Sequence, residues 1–333
     1  MPLVIARRIM LVAAAALGVL VAVPAAAQAP GKVARVGYLH IGASAPAHQP
    51  LMDAFRARLR ELGWVEGHNL AIEHRFAEGQ ADRLPELATE LVRAKVDVIV
   101  GVTRLSVVAA RKASGTTPIV MLAVGDPVGT GLVASLARPG GQVTGLAYGV
   151  GMDTIGKGLE LLKEAVPKAR RVAFVSNQAS PSAAVALTHV QQTAQLLRLK
   201  LQLVDLRGPE GIAPAFAAMA REKAGAALVV GDPAFDGDRA RIVQHALQHR
   251  LPAMYSLRSW VEAGGLMSYG PHLADMWRRG ADYVDKILKG ALPGELPVEQ
   301  PAKFELVISQ KTAKALGLKL PPALLVRADL VLQ

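Results

Sequence analysis

The fold is decided by Val33-Ala34-Arg35-Val36-Gly37-Tyr38-Leu39 and by the segment after it, Leu51-Met52-Asp53-Ala54-Phe55-Arg56-Ala57-Arg58-Leu59-Arg60-Glu61-Leu62. The first run reads as a buried strand. The second places Leu51, Phe55, Leu59 and Leu62 at helical spacing, and Gly63 ends it. Residues 40–50 form the loop between them. A buried strand followed by an amphipathic helix is the repeating unit of a parallel sheet covered by helices. The order recurs through strands at 70–75, 96–100 and 118–123, with helices at 82–93 and 105–113. It then begins again: helix 156–165, strand 171–175, helix 181–197, strand 200–205, helix 212–222, strand 226–230, helix 238–249 and strand 253–255. Residues 264–290 read as strand plus helix, and 304–316 do likewise.

Two successive units of this kind predict an α/β protein of two doubly wound, Rossmann-like lobes with a hinge and an interlobe cleft. The expected division is residues 31–149 plus 266–298 for the first lobe and 150–265 plus 299–333 for the second, with 296–301 as an extended crossing. A chain of 333 residues that is 51% hydrophobic can build two cores. In open parallel sheets the carboxyl ends of the strands carry the binding loops, because helix N-termini present free backbone N–H groups there.

Residues 1–27 read as a secretory signal peptide. Arg7 and Arg8 precede an apolar run from Ile9 to Val23, and Ala25-Ala26-Ala27 supplies small residues for cleavage after Ala27. The run is shorter than the roughly 20 residues a membrane-spanning helix needs. Arg7-Arg8 faintly resembles a twin-arginine signal, but no Phe-Leu-Lys follows it. The expected location is the periplasm.

The formal charge of +11 and pI near 10.0 suggest nucleic acid, yet the basic residues are scattered among acids, as in Arg56-Ala57-Arg58-Leu59-Arg60-Glu61. No basic block or aromatic-basic alternation offers a stacking surface, so the charge reads as a solvated exterior and no nucleic acid is expected. The absence of cysteine rules out disulfides, thiolate metal sites, a lipid-bearing cysteine and a cysteine-dependent racemase.

Several segments carry a specific resemblance: Gly63-Trp64-Val65-Glu66-Gly67-His68-Asn69, Ala77-Glu78-Gly79-Gln80, Asp82-Arg83-Leu84-Pro85, and Gly125-Asp126-Pro127-Val128. Further on stand Leu132-Val133-Ala134-Ser135-Leu136-Ala137-Arg138-Pro139-Gly140-Gly141, Gly264-Gly265-Leu266-Met267-Ser268-Tyr269-Gly270 and Pro301-Ala302-Lys303-Phe304-Glu305-Leu306-Val307-Ile308. In these the chain resembles the ABC transporter substrate-binding protein family related to tryptophan-binding (TrpX-like) proteins, of the type I periplasmic binding protein fold. The resemblance implies two α/β lobes joined by three crossings, a small ligand in the cleft, and delivery to a permease. Its characterised members favour amino acids, including aromatic ones.

Candidate ligand contacts follow from the loops after strands. In the first lobe these are His40 and Ser44 after the first strand, and Thr103, Arg104 and Ser106 after the third. The hydroxyls and free N–H groups at that helix start suit a ligand carboxylate, with plain helix capping as the simpler alternative. Arg104 departs from the small residue or proline that the resemblance leads one to expect; facing the cleft it adds a cation, and otherwise it points to solvent. Asp126 pairs with an ammonium or fixes its own turn.

In the second lobe Asn177 and Gln178 follow one strand, where the resemblance leads one to expect Asn-Pro. Asp232 follows another and is the preferred partner for a ligand amine. Phe235, Tyr255 and Tyr269 are candidates to sandwich a flat side chain, with core packing as the alternative. Trp64 and Trp277 read as packing residues.

Catalytic signatures are weak. No Gly-x-Ser-x-Gly elbow or His-Glu-x-x-His helix occurs, and no phosphate-gripping Gly-x-x-x-x-Gly-Lys run is expected. His245 and His249 share a helical face without a third ligand, which reads as a solvated face. No metal or cofactor is expected. The reading is a monomeric receptor that binds a small ligand and docks on an inner-membrane ABC permease. Alternatives are a ligand-sensing module for a membrane sensor protein and a periplasmic enzyme.

Overall fold

The computed structural model describes residues 33–42, 48–148, 152–232, 235 and 237–333. The first sheet contains β1 (Ala34–His40), β2 (Leu70–Phe76), β3 (Val98–Val102), β4 (Ile119–Val124) and β5 (Val143–Ala147). All are parallel, in spatial order β2-β1-β3-β4-β5. Helices α1 (Gln49–Glu61), α2 (Leu84–Arg93) and α3 (Thr103–Ser114) connect them.

The second sheet is entered through α4 (Met152–Ala165). It continues with β6 (Arg171–Ser176), α5 (Pro181–Leu196), β7 (Lys200–Asp205), α6 (Ile212–Arg221), β8 (Ala226–Val229), α7 (Arg239–Gln248), β9 (Ala253–Tyr255), α8 (Arg258–Glu262) and β10 (Met267–Pro271). After α9 (Leu273–Leu288) come β11 (Phe304–Ser309), α10 (Gln310–Ala315), α11 (Pro322–Val326) and β12 (Leu330–Leu332). The strand order is β12-β11-β10-β9-β8-β6-β7. Its stretch β7-β6-β8-β9-β10 repeats the winding of the first sheet, and β11 joins β10 antiparallel.

Alternation along each strand feeds a separate apolar layer on either face. In the first sheet Val36, Tyr38, Val98, Val100 and Leu122 pack with α1 and α9, whereas Leu39, Ile99, Ile119 and Met121 pack with α2 and α3. In the second, Phe174, Leu228 and Met254 lie against α4 and α5, and Val175, Val229 and Tyr255 belong with α6, α7 and Trp260.

The strand at 264–290, expected in the first lobe, lies in the second sheet. Met267 pairs with Met254 on one side and with Ile308 on the other. The chain therefore crosses at His272 rather than at 265/266, because β10 is largely buried between β9 and β11 and completes an interior. Strand β5 interrupts its apolar pattern with Thr144 and Gly145, which hides it from periodicity. Helix α3 begins at Thr103, directly at the end of β3, two residues earlier than expected.

Helices α4 and α9 are exchanged between lobes. Helix α4 follows the last strand of the first sheet but packs on α5, β8, β9 and β10, while α9 follows β10 but packs on α1, β4 and β5. A third crossing runs through residues 296–303. The three passages are hydrogen-bonded: Ala147 N–H donates to the Glu299 carbonyl at 2.9 Å, Glu299 N–H to the Gly145 carbonyl at 3.0 Å, and His272 N–H to the Lys303 carbonyl at 3.1 Å. Tyr283 Oη donates to the Pro297 carbonyl at 2.5 Å and Thr144 Oγ1 to the Leu296 carbonyl at 2.6 Å. Since the chain leaves β5 and β10 at their carboxyl ends, the carboxyl edges of both sheets meet at these crossings.

Gly145 is demanded by this geometry. Its φ is +124°, and a Cβ there would lie 2.3 Å from the Met121 carbonyl oxygen, where the β4–β5 register shifts. Gly145→Ala is expected to cost about 2–4 kcal/mol by backbone strain and overpacking, read as a lower urea midpoint at unchanged m-value. An unchanged midpoint would contradict this account of β5.

Candidate functional site

At the carboxyl edge of the first sheet, β3 runs straight into α3. Thr103 has φ +69°, and its Oγ1 is buried without a hydrogen-bond partner among the described residues. Ser106, one turn along, is fully buried and its Oγ also lacks a described partner. The N-cap is Val102, which cannot cap, and no acid stands in the first turn. The first-turn N–H groups thus have no side-chain cap, and the helix presents its positive end. Thr103 does not act as the cap. Arg104 on the same turn is half-buried and makes no ion pair or hydrogen bond with the described residues.

Asp126 has the simpler of its two expected roles. It is exposed, with φ +38°, and its Oδ1 accepts the Gly129 N–H at 2.8 Å, so it fixes the turn after β4. The preceding left-handed residue, Ala123 at φ +54°, re-aims the strand end at the register shift.

His40 ends β1 inside an aromatic group that local sequence does not reveal. Its Nδ1 accepts the Gly42 N–H at 2.7 Å, and its ring lies 4.5 Å from that of His48 and parallel to Tyr38. Tyr38 Oη is hydrogen-bonded to His48 Nε2 at 2.6 Å and accepts from Trp277 Nε1 at 3.0 Å. His74 and Phe76 stack beside them, and Arg56 reaches His74 Nε2 at 3.0 Å. Burial pushes His40 down to about 4 and His48 to about 3, raises the Tyr38 phenol above its ordinary range, and lowers His74. Among the described residues no group of three His, Asp or Glu could hold a metal ion. Ser44 lies outside the described residues.

At the edge of the second sheet, Asn177 Oδ1 accepts the Ala179 N–H at 3.1 Å, and its Nδ2 donates to Asp232 Oδ1 at 3.4 Å, joining the ends of β6 and β8. Gln178 exposes its side chain and donates its backbone N–H to Asp205 at 2.9 Å. Phe235 is 2% exposed within the core beneath α6 and α7, so its large apolar side chain packs the lobe. Tyr255 is equally buried, stacked on Trp260 at 5.0 Å, and burial raises its phenol above the ordinary range.

Tyr255 nonetheless borders a concave space at the ends of β8, β9 and β10. Tyr269, half-buried and stacked on Phe304, lines it too, with Leu228, Met254 and Ile155. Tyr148 and Ser256 complete it and escape the sequence reading. Tyr148 follows β5, which Thr144 and Gly145 hide from periodicity, so no local pattern points to it. The lining of this space is apolar and aromatic with a few polar groups.

Other expected features resolve simply. Trp64 Nε1 donates to Asp285 at 2.9 Å, and Trp277 is buried on Tyr38. His245 and His249 do not form a plain solvated face, since both stack on Phe216. Contrary to expectation a Gly-x-x-x-x-Gly-Lys run does occur, at Gly151, Gly156 and Lys157, but Gly158 rather than Ser or Thr follows the lysine. Lys157 lies within α4 and pairs with Glu160 at 2.8 Å.

Comparison with known proteins bears on this arrangement. The family model described as ABC transporter substrate binding protein matches residues 41–332. A curated tyrosine-binding protein of Clostridioides difficile strain R20291 is 25% identical over 284 residues, 84% of this chain and 81% of that one. A crystal structure of a conserved domain protein from Vibrio cholerae is 30% identical, covers 90% of this chain and 100% of its own, and has a TM-score of 0.82. An ABC domain in complex with L-Trp from Streptococcus pneumonia is 24% identical, with a TM-score of 0.81 over 90% of this chain and 99% of that one.

The imidazole group sets a pH dependence. In the unfolded chain these histidines take up protons near 6.5, whereas in the fold His40 and His48 stay neutral down to about 4 and 3. The native state binds fewer protons in this window, so stability is full above it and falls as pH drops through it. The melting midpoint is expected to decrease from pH 7 to pH 4, with a shallower decrease in His40→Leu and His48→Phe. Wild-type slopes in both variants would remove the histidines as its source.

Proposed function

Because the chain belongs to the ABC transporter substrate binding protein family, we propose that it serves as an importer's extracytoplasmic receptor for an aromatic amino acid or a close analogue. The observation that carries the reading is the contrast between the two carboxyl edges. One offers unsatisfied hydroxyls and an uncapped helix start, and the other an apolar space bordered by tyrosines. A molecule with one acidic end and one flat end matches both.

The carboxylate is held by Thr103, Ser106 and the N–H groups of α3, and the ring lies by Tyr148 and Tyr269. Asp232, supported by Asn177, takes the ammonium. His40 shapes the base of its loop, and Gln178 acts at the rim. Contacts made to both lobes at once favour the closed form, since a ligand shifts this equilibrium only by its differential affinity. The tyrosine-binding curated relative supports the ligand class. The closed receptor, a monomer in the periplasm after cleavage behind Ala27, docks on an inner-membrane permease. Its role is binding rather than catalysis.

The test is a thermal-shift and calorimetric panel of amino acids, nucleosides and sugars on refolded protein freed of carried-over ligand. A ligand at 100 times its Kd should add about 2.7 kcal/mol of stability. Aromatic amino acids are expected to raise the midpoint, with Thr103→Val and Asp232→Ala each weakening binding at least tenfold. A response confined to sugars or nucleosides, or none at all, would defeat the assignment.

A further inference from the structure

We propose that Gly158 is a specificity-determining residue. The side chain it lacks leaves the buried end of the tyrosine-bordered space open, and this depth admits amino acids with a bicyclic aromatic side chain. The proposal deepens the receptor reading above and rests on its placement of the ring beside Tyr148 and Tyr269.

Among the described residues three glycines lie inside the longer helices: Gly156 and Gly158 in α4, and Gly280 in α9. All three are buried, and none has a positive φ, so the backbone at each suits any L residue. Glycine in a helix interior is less stable than alanine, because the unfolded chain has more freedom to lose. The reason for keeping it must therefore lie in the space around it. For two of the three that reason is close packing. A Cβ at Gly156 would lie 2.6 Å from Thr193 Oγ1 of α5, and one at Gly280 would lie 2.7 Å from Leu122 Cδ2 of β4. Thr193 is stiff at χ1 and Leu122 is fully buried, so neither neighbour gives way freely.

Gly158 has no such reason. A Cβ there would lie 3.5 Å from Met254 Cγ and 3.7 Å from Leu228 Cδ1, ordinary contacts that would add to the packing. Alanine would fit and would stabilise α4. What its methyl would occupy is the concave space, since Gly158, Leu228 and Met254 all line it. These three are buried, whereas Tyr148, Thr154 and Tyr269 on the same lining are half-buried. The space thus has an inner end made of α4 backbone and aliphatic side chains, and an outer end made of hydroxyl-bearing ones. A flat side chain that enters beside Tyr148 and Tyr269 meets Gly158 last. The second ring of an indole reaches further in than a phenyl does, so a methyl at 158 takes room from the larger ring first. One methyl group in an apolar pocket discriminates by roughly ten- to two-hundredfold. A stabilising substitution that fits the fold and costs function is the ordinary trade at a binding site.

The deciding experiment is calorimetry with L-tryptophan and L-phenylalanine on wild type, Gly158→Ala and Gly156→Ala, paired with urea unfolding of each. Wild type is expected to bind L-tryptophan at least as tightly as L-phenylalanine. Gly158→Ala should keep or raise the urea midpoint, lose about tenfold or more in affinity for L-tryptophan, and change less than about threefold for L-phenylalanine. Gly156→Ala should lower the midpoint and leave the ratio of the two affinities as in wild type.

The proposal is overturned if Gly158→Ala has a lower midpoint, which would make the glycine structural. It is equally overturned if that variant binds L-tryptophan as wild type does, or if both ligands weaken alike. Wild-type protein that binds L-phenylalanine but not L-tryptophan overturns it as well. In each of these cases the receptor reading stands. Binding of neither amino acid by folded wild-type protein overturns this proposal and the aromatic ligand assignment together.

Discussion

The hydrogen bonds that tie the three interlobe passages to one another are the constraint on which the rest of the structure depends. Gly145, Ala147 and Glu299 form a short parallel bridge, and His272 joins it through Lys303. This bundle fixes where β5 and β10 end, so it also fixes where the carboxyl edges of the two sheets stand. The side chains at those edges owe their neighbours to it. Arg279 adds an ion pair to Glu299, so the bundle is also anchored to α9. A rotation of one lobe against the other has to be absorbed in these few residues, because both ends are held by packed helices.

The carboxyl edges that this bundle aligns are chemically unlike. The first sheet ends in a helix start with hydroxyls and a guanidinium. The second ends in tyrosines and aliphatic side chains, with amide and carboxylate groups already bonded to each other. Neither edge alone encloses a ligand. An interaction that needs both is the physical basis for coupling occupancy to closure, since it contributes only when the lobes come together.

Much of the architecture was legible because burial on both faces of a parallel sheet leaves long apolar runs, as at Val98–Val102, separated by helices with a clear stripe. The exceptions have specific causes. Strand β5 carries Thr144 and Gly145, which break the run for the sake of a hydrogen bond and a close backbone approach. Strand β10 lies in the second sheet and not the expected first, since pattern shows that a strand exists but not which sheet receives it. For the candidate site, position after a strand puts Thr103, Arg104, Asn177 and Asp232 at the carboxyl edges of the sheets. It could not separate Asp126 or Phe235 from them, since a turn-fixing carboxylate and a core ring occupy the same kind of position. The group of Tyr38, His40, His48, His74 and Trp277 is assembled by contacts spanning up to 239 residues, for which single-sequence reading has no signal.

The exchange of α4 and α9 bears on how the chain can fold as it is made. One face of the first sheet is covered by Met276, Trp277, Ala281, Tyr283, Val284 and Ile287, which are synthesised long after the strands they cover. No contiguous fragment ending before α9 contains that layer. The amino-terminal half therefore cannot reach its native state ahead of the carboxyl-terminal half, as independent domains do in sequence during synthesis. Maturation of the two halves becomes a single late event, and a chain destined for export stays unfinished until most of it has been translated.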